Sequence, residues 1–292
     1  MTDISHRFGD ESCQAMVNAA GAELSALVFD GDLDALWNAG PEWRRHSPVL
    51  FPIVGRLADD QAPIDGKTYR MTQHGFARDR VFEWIERTPA GCVLELRADD
   101  ETQAIFPFAF VLRIAYRVSA GQLIATYTIT NPDERKALPA SLGVHPAFNW
   151  PLRPGEARED YEIIFEQPEN EPIRRVAGGL LLDETFPSPV DGRVLKLSDS
   201  LFVEDAVIFD SVDSRSVWFG RPGAKGLRVK WAGFDELGVW SKEGAPFLCI
   251  EPWRGHASPA NFSGAFKEKP GLLHLGPGAE WTASWRVAAT DA

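Results

Sequence analysis

The run "FAFVLRIAYRV" (residues 108–118), followed after "SAG" by "QLIATYTIT" (122–130), decides the fold class. In the first run Phe108, Phe110, Leu112, Ile114, Tyr116 and Val118 take every second position, with Arg113 and Arg117 between them. Successive side chains of a strand point to opposite faces, so a period of two is the mark of a half-buried strand. In the second run Leu123, Ala125, Tyr127 and Ile129 alternate with Thr126, Thr128 and Thr130. Two β-rich runs with a short Gly-containing break between them read as a β-hairpin.

The alternation recurs in "VLELR" (93–97), "YEIIF" (161–165), "LRVKW" (227–231) and "WTASWRVAA" (281–289), with Gly, Pro, Asp or Asn between many of the runs. No apolar spacing of i, i+3, i+4, i+7 extends beyond three turns. The chain is therefore expected to be all-β, a large sandwich of many short strands. The Pro- and Gly-rich stretch from Pro151 to Arg193 reads as long loops around one or two strands. Because similar strands lie on both sides of it, residues 1–292 are read as a single domain. A chain of this length buries roughly three quarters of its unfolded surface, so its core needs neither metal nor disulfide.

Cys13, Cys92 and Cys249 are odd in number, far apart and without a CxxC pair, which argues against a disulfide framework. The N-terminal residues hold no apolar segment of signal-peptide type, and no run approaches the ~18 apolar residues of a membrane span. A soluble cytoplasmic protein is expected. The formal charge of −12 disfavours nucleic acid as a partner, since such binding rests on clustered Lys and Arg. The ten tryptophans either fill a sandwich core or, in part, line a groove and stack on sugar rings. Trp37, Trp150, Trp240 and Trp253 are those near motif-like sequence.

In "SLGVHP" (141–146) an extended backbone puts Leu142 and Val144 on one face and Ser141, Gly143 and His145 on the other. Pro146 pushes His145 out of the helical region and helps hold it extended at a strand end. "FLCIEPW" (247–253) is built alike: Leu248 and Ile250 share one face, and Phe247, Cys249 and Glu251 share the other. A carboxylate at the end of such an apolar run, if buried, needs a raised pKa or a bonded partner, and a raised carboxylate makes a good base near neutral pH. "QHGFARDR" (73–80) adds His74, Arg78 and Arg80, and "FPIVGRL" (51–57) adds Arg56. Each has an ordinary structural explanation when taken alone.

Taken in order, "FPIVGRL", "QHGFARD", "GVHPAFN" and "CIEPW" resemble the aldose 1-epimerase (mutarotase) family, most closely its LacX-like branch. The likeness extends to "GAELSAL", "LWNAGPEWRRHSPVLFP", "DAVIFD" and "LGVWSKEGAPF" and so spans nearly the whole chain. The resemblance implies a galactose-mutarotase-type sandwich with an open sugar cleft, and an isomerase that interconverts anomers with neither an organic cofactor nor a catalytic metal. It implies Glu251 as general base, His145 as general acid toward the ring oxygen, and His74 as the second histidine near that oxygen. Arg56 matches the arginine that binds sugar hydroxyls. Asp205 lies where a sugar-binding aspartate is found, in surroundings that depart from the pattern. Arg78 is a further substrate contact, and Trp240 and Trp253 are either sugar platforms or core. His46 and His256 are read as structural.

Other chemistries lack their residues. There is no HExxH and no GxSxG, and "GRPGAKG" (220–226) has neither the spacing nor the ending of a phosphate-binding loop. A glycosidase needs two flanking carboxylates, and only Glu251 stands in a marked setting. Two alternatives stay open beside a mutarotase for a small free sugar. One is a hexose-phosphate 1-epimerase, for which Arg56, Arg78, Arg80 and Arg254 are candidate phosphate ligands. The other is a non-catalytic sugar binder.

Overall fold

The hairpin forms with the register that the alternation implies. Val111–Ser119 pairs antiparallel with Gln122–Thr130, Val111 opposite Thr130 and Ser119 opposite Gln122. The computed structural model describes residues 4–292. Its hairpin strands lie within a nine-stranded antiparallel sheet, and Leu112, Ile114, Tyr116, Leu123, Ala125, Tyr127 and Ile129 all turn into the core. Arg113, on the other face, reaches Glu95 across the sheet at 2.6 Å. Two buried polar side chains on the core side are paired: Tyr116 donates to the Ala22 carbonyl at 2.9 Å, and Trp285 Nε1 donates to the Tyr127 hydroxyl at 3.0 Å.

The hairpin turns on Ala120 and Gly121, with φ of 52° and 71°. Positive φ at both central residues is what the twist of a two-residue hairpin demands, and Asn-Gly meets it best. Alanine carries a left-handed penalty of roughly 1–2 kcal/mol that asparagine largely escapes. Ala120→Asn should therefore stabilise the protein by about 0.5–1 kcal/mol, read as a higher urea midpoint at unchanged slope. A lower midpoint would show that the turn is not under this strain.

The second sheet carries the chemistry. Its order is Val207–Phe209, Glu236–Trp240, Phe247–Arg254, Leu142–Val144 and Val49–Leu50, and Ala147–Asn149 also pairs with Phe247–Arg254. Leu142, Val144, Leu248 and Ile250 enter the main core. On the opposite face, Phe247 and Cys249 join Trp37, Ala147 and Ala245 in a satellite cluster. The same alternation that buries one face leaves Gly143, His145 and Glu251 on the other.

Between Pro151 and Arg193 there are three strands, Glu162–Phe165, Val176–Ala177 and Leu180–Leu181, one more than composition suggests. The last two are only two residues long, too short for a period to show. All three cysteines are buried and unpaired. Among the described residues no helix is long and apolar enough to cross a membrane.

Candidate active site

The two proline-terminated strands bring their polar residues together. His145 Nε2 lies 3.2 Å from Glu251 Oε2, with the side chains 9% and 2% exposed. The contact is close without the alignment of a full hydrogen bond, so Glu251 Oε2 lacks a protein hydrogen-bond partner, and on the other side of the imidazole Nδ1 lacks one too. A buried polar atom left unsatisfied costs roughly 1–3 kcal/mol, so the protein leaves these groups for a ligand or solvent to meet. Burial drives the Glu251 carboxyl well above its ordinary pKa, the negative charge of Asp205 adds to this, and the Trp253 indole opposes it. Burial, with the Arg78 charge, pushes His145 down to about 3. Each lone charge is disfavoured here, which favours a state with one proton shared between the two.

His74 reaches the same point from a different loop. Its φ is +68°, and the following Gly75 is at +70°. A Cβ at position 75 would stand 2.3 Å from the Phe51 carbonyl oxygen, so only glycine lets the chain turn there. The His74 ring is then held by Gly55: the Gly55 amide donates to His74 Nδ1 at 3.1 Å, and the His74 amide donates to the Gly55 carbonyl at 2.8 Å. With Nδ1 an acceptor, the ring proton sits on Nε2. Burial and the nearby His145, Arg78 and Arg45 hold its pKa well below the usual value, so His74 remains a neutral donor. The two imidazoles stand edge to face with centroids 5.8 Å apart.

A cavity of about 270 Å³ opens over this group, lined by Glu251, His145, His74, Arg78, Asp205, Trp240 and Trp253 among others. Trp253 lies flat across two glycines: a Cβ on Gly238 would meet its ring at 2.4 Å, and one on Gly143 at 2.7 Å. Gly238 is also paired with Glu251 across the sheet. Gly238→Ala should therefore tilt the indole, disturb the carboxylate and lower kcat/KM by about tenfold while the fold persists. Unchanged kinetics would show that Trp253 does not shape the site. Trp240 stands edge-on to His145 at 5.9 Å. Trp37 and Trp150 belong to the core; Trp150 donates to the Arg158 carbonyl at 2.9 Å.

Arg56 is not on the cavity wall. Its guanidinium grips Asp60 through two contacts, at 2.7 and 3.2 Å, and its stem packs against Gly179, which does line the cavity. Arg80 pairs with Glu101, and Arg254 with Asp235, away from the cavity. Arg78 donates to the Gln73 carbonyl at 2.7 Å, and its Nε, 3.8 Å from Asp79 Oδ2, makes no hydrogen bond. Asp205 faces the cavity from a left-handed backbone, φ +65°, and accepts from the Ala206 amide at 2.7 Å. His46 is tied to Glu23 and His256 to the Ala257 carbonyl. The sequence reading passes over Trp43, whose ring stacks on His145 at 4.9 Å, and over the wall residues Gln73, Val176 and Ile208. Trp43 sits inside the family-like stretch "LWNAGPEWRRHSPVLFP", the one signal that points to it.

Residues 5–283 match the aldose 1-epimerase family. The chain belongs to that family. It is 32% identical over 268 residues to the chromosomal protein LacX of Lactococcus lactis subsp. lactis, covering 88% of this chain and 90% of LacX. A galactose mutarotase related enzyme from Lactobacillus acidophilus superposes with a TM-score of 0.91 at 30% identity, over 98% of this chain and 97% of the other. A galactose mutarotase-like protein from Lactobacillus casei gives 0.91 at 29% identity, over 98% and 100%. The all-β sandwich is thus an aldose 1-epimerase fold, and the chain is a sugar epimerase by family.

Proposed function

We propose that the protein is an aldose 1-epimerase acting on a free, unphosphorylated hexose or a closely related sugar. The observation that carries this reading is the buried His145–Glu251 pair, 3.2 Å apart, at a cavity that also holds His74. The anomeric hydroxyl and the ring oxygen are bonded to the same carbon, so an acid and a base serving both must themselves be neighbours. The cavity, about 270 Å³, lies near the lower end of the ~300–1,000 Å³ of small-molecule sites and suits one monosaccharide.

The catalytic form of the pair is its charged tautomer, reached when the shared proton moves from Glu251 to His145 with no change in total charge. Glu251 takes the proton of the anomeric hydroxyl, the C1–O5 bond breaks as the C1=O1 bond forms, and His145 gives its proton to O5. The pair is then neutral, which is the state that its dry surroundings favour. Rotation about C1–C2 presents the other carbonyl face, and the reverse transfers close the ring as the other anomer. His74 Nε2–H donates toward the ring oxygen. Arg78 and Asp205 hold hydroxyls, and Trp240 and Trp253 present flat apolar surface to the C–H faces of the ring. In this role Arg56 acts by bracing the Gly178–Gly179 turn, whose Gly178 carbonyl accepts from it at 3.4 Å.

His74→Gln keeps an amide donor at the reach of Nε2, whereas His74→Asn reaches only as far as Nδ1. The Gln variant should retain about tenfold more kcat/KM than the Asn variant in an anomerisation assay. Equal losses would contradict the donor role. Arg78 is the one arginine of the four phosphate candidates on the cavity wall; Arg56, Arg80 and Arg254 lie off it, each paired with a carboxylate. This favours a free sugar over a phosphorylated one. A simple binder gains nothing from an unsatisfied acid–base pair, which favours an enzyme. The test is a screen of free and phosphorylated aldoses by anomer-resolved NMR exchange. Accelerated exchange of a free hexose supports the reading, and acceleration confined to sugar phosphates refutes it.

A further inference from the structure

Cys249 has no part in ring opening, yet it stands beside the groups that do. It precedes Glu251 by two residues on the strand Phe247–Arg254, so both side chains leave the same face. One donor atom from each of His145, Cys249 and Glu251 falls within a sphere where all three lie within 4.8 Å of one another, and all three residues are buried. The other two cysteines lie in the main core, away from this cluster. A thiol, an imidazole and a carboxylate are the donor set of a borderline-soft ion, and a tetrahedral zinc with bonds of ~2.0–2.3 Å sets its donors about 3.3–3.6 Å apart. His145 and Glu251 are already at 3.2 Å, so Cys249 alone has to close in. Glu251 Oε2 is buried with no hydrogen-bond partner, so protein hydrogen bonds do not compete for it. His145 and Glu251 line the cavity, the side from which a fourth ligand would come.

We propose that His145, Cys249 and Glu251 form an inhibitory site for a thiophilic divalent cation of the Zn²⁺ or Cd²⁺ type, which shuts the enzyme off by occupying its acid–base pair. Binding ionises the thiol and takes the proton that the His145–Glu251 pair shares, so about two protons leave per metal. With the lone pairs of both catalytic groups tied to the ion, neither can exchange a proton with the sugar. Mg²⁺ and Ca²⁺, which prefer all-oxygen shells, are not held. The inhibition rests on the proposed mutarotase activity, but metal binding does not.

The experiment uses the purified full chain with ZnCl₂, CdCl₂ and CoCl₂. Wild-type anomerisation should fall with added Zn²⁺ and return with EDTA, while Cys249→Ala and Cys249→Ser should need at least about tenfold more Zn²⁺ for the same inhibition. Co²⁺ should give a thiolate-to-cobalt charge-transfer band in the wild type that both variants lack. Calorimetry in two buffers should show about two protons released per Zn²⁺ bound. Equal inhibition of wild type and both variants, or a Co²⁺ complex without the thiolate band, would overturn the site. If no sugar is turned over, the mutarotase reading fails, while the Co²⁺ spectrum and the proton count still decide the metal site.

Discussion

Glu251→Gln is expected to lower the anomerisation rate by about 10²–10⁴ and, at neutral pH, to make the protein more stable. The loss follows from removing the only group at the cavity that can take the anomeric proton while paired to His145. Glutamine keeps the shape and can still donate toward His145, so the fold has no cause to change. The gain follows from linkage. Burial and Asp205 raise the folded-state pKa of Glu251 well above its ordinary value. A group raised in this way contributes its full stability below the unfolded pKa of ~4.3 and loses it as pH climbs toward the folded value. At pH 7.5 the wild type therefore carries a penalty that glutamine does not. Calorimetry should find a higher Tm for the variant at pH 7.5 and near-equal values at pH 4. A rate within threefold of wild type, or a lower Tm at pH 7.5, would contradict this assignment.

His145→Asn should cost a similar ~10²–10⁴ in rate, and the double variant should be little worse than either single one, because the two groups act as a unit. Its pH signature runs the opposite way. The folded pKa of His145 is depressed to about 3, below the ordinary ~6.5. Its contribution to stability is full above pH 6.5 and is lost as pH falls from 6.5 toward 3, because unfolding then takes up a proton. The asparagine variant lacks that loss and should be relatively less sensitive to acid. The wild-type kcat/KM should show no step near pH 6.5, since the pair, and not a free imidazole, carries the catalytic proton. A single ionisation near 6.5 would mean that His145 titrates alone.

How much of this was legible in the chain depends on how local each cause is. The hairpin 108–130 could be read because its period of two reports one buried face. The same rule placed Leu142 and Val144 opposite His145, and Leu248 and Ile250 opposite Glu251, and the structure follows it in both strands. What alternation could not show is that these two strands are neighbours, since the pairing of Gly143 with Trp253 joins residues 110 positions apart. Arg56 is adjacent in sequence to Gly55, a wall residue, but its fork is drawn to Asp60 one turn away, an attraction that no motif displays. The tautomer of His74 depends on one amide, that of Gly55, across a tertiary contact. Trp43 was hidden for the same reason, because its role comes from stacking on a histidine a hundred residues later.

The most direct test of the central claim is two-dimensional exchange NMR on an equilibrated free hexose, comparing wild-type protein with Glu251→Gln at equal concentration. The account predicts cross-peaks between the α and β anomeric protons that grow with wild-type enzyme and stay at the uncatalysed level with the variant. Cross-peaks of equal strength in both samples would contradict it, because anomer exchange would then proceed without the carboxylate that stands 3.2 Å from His145.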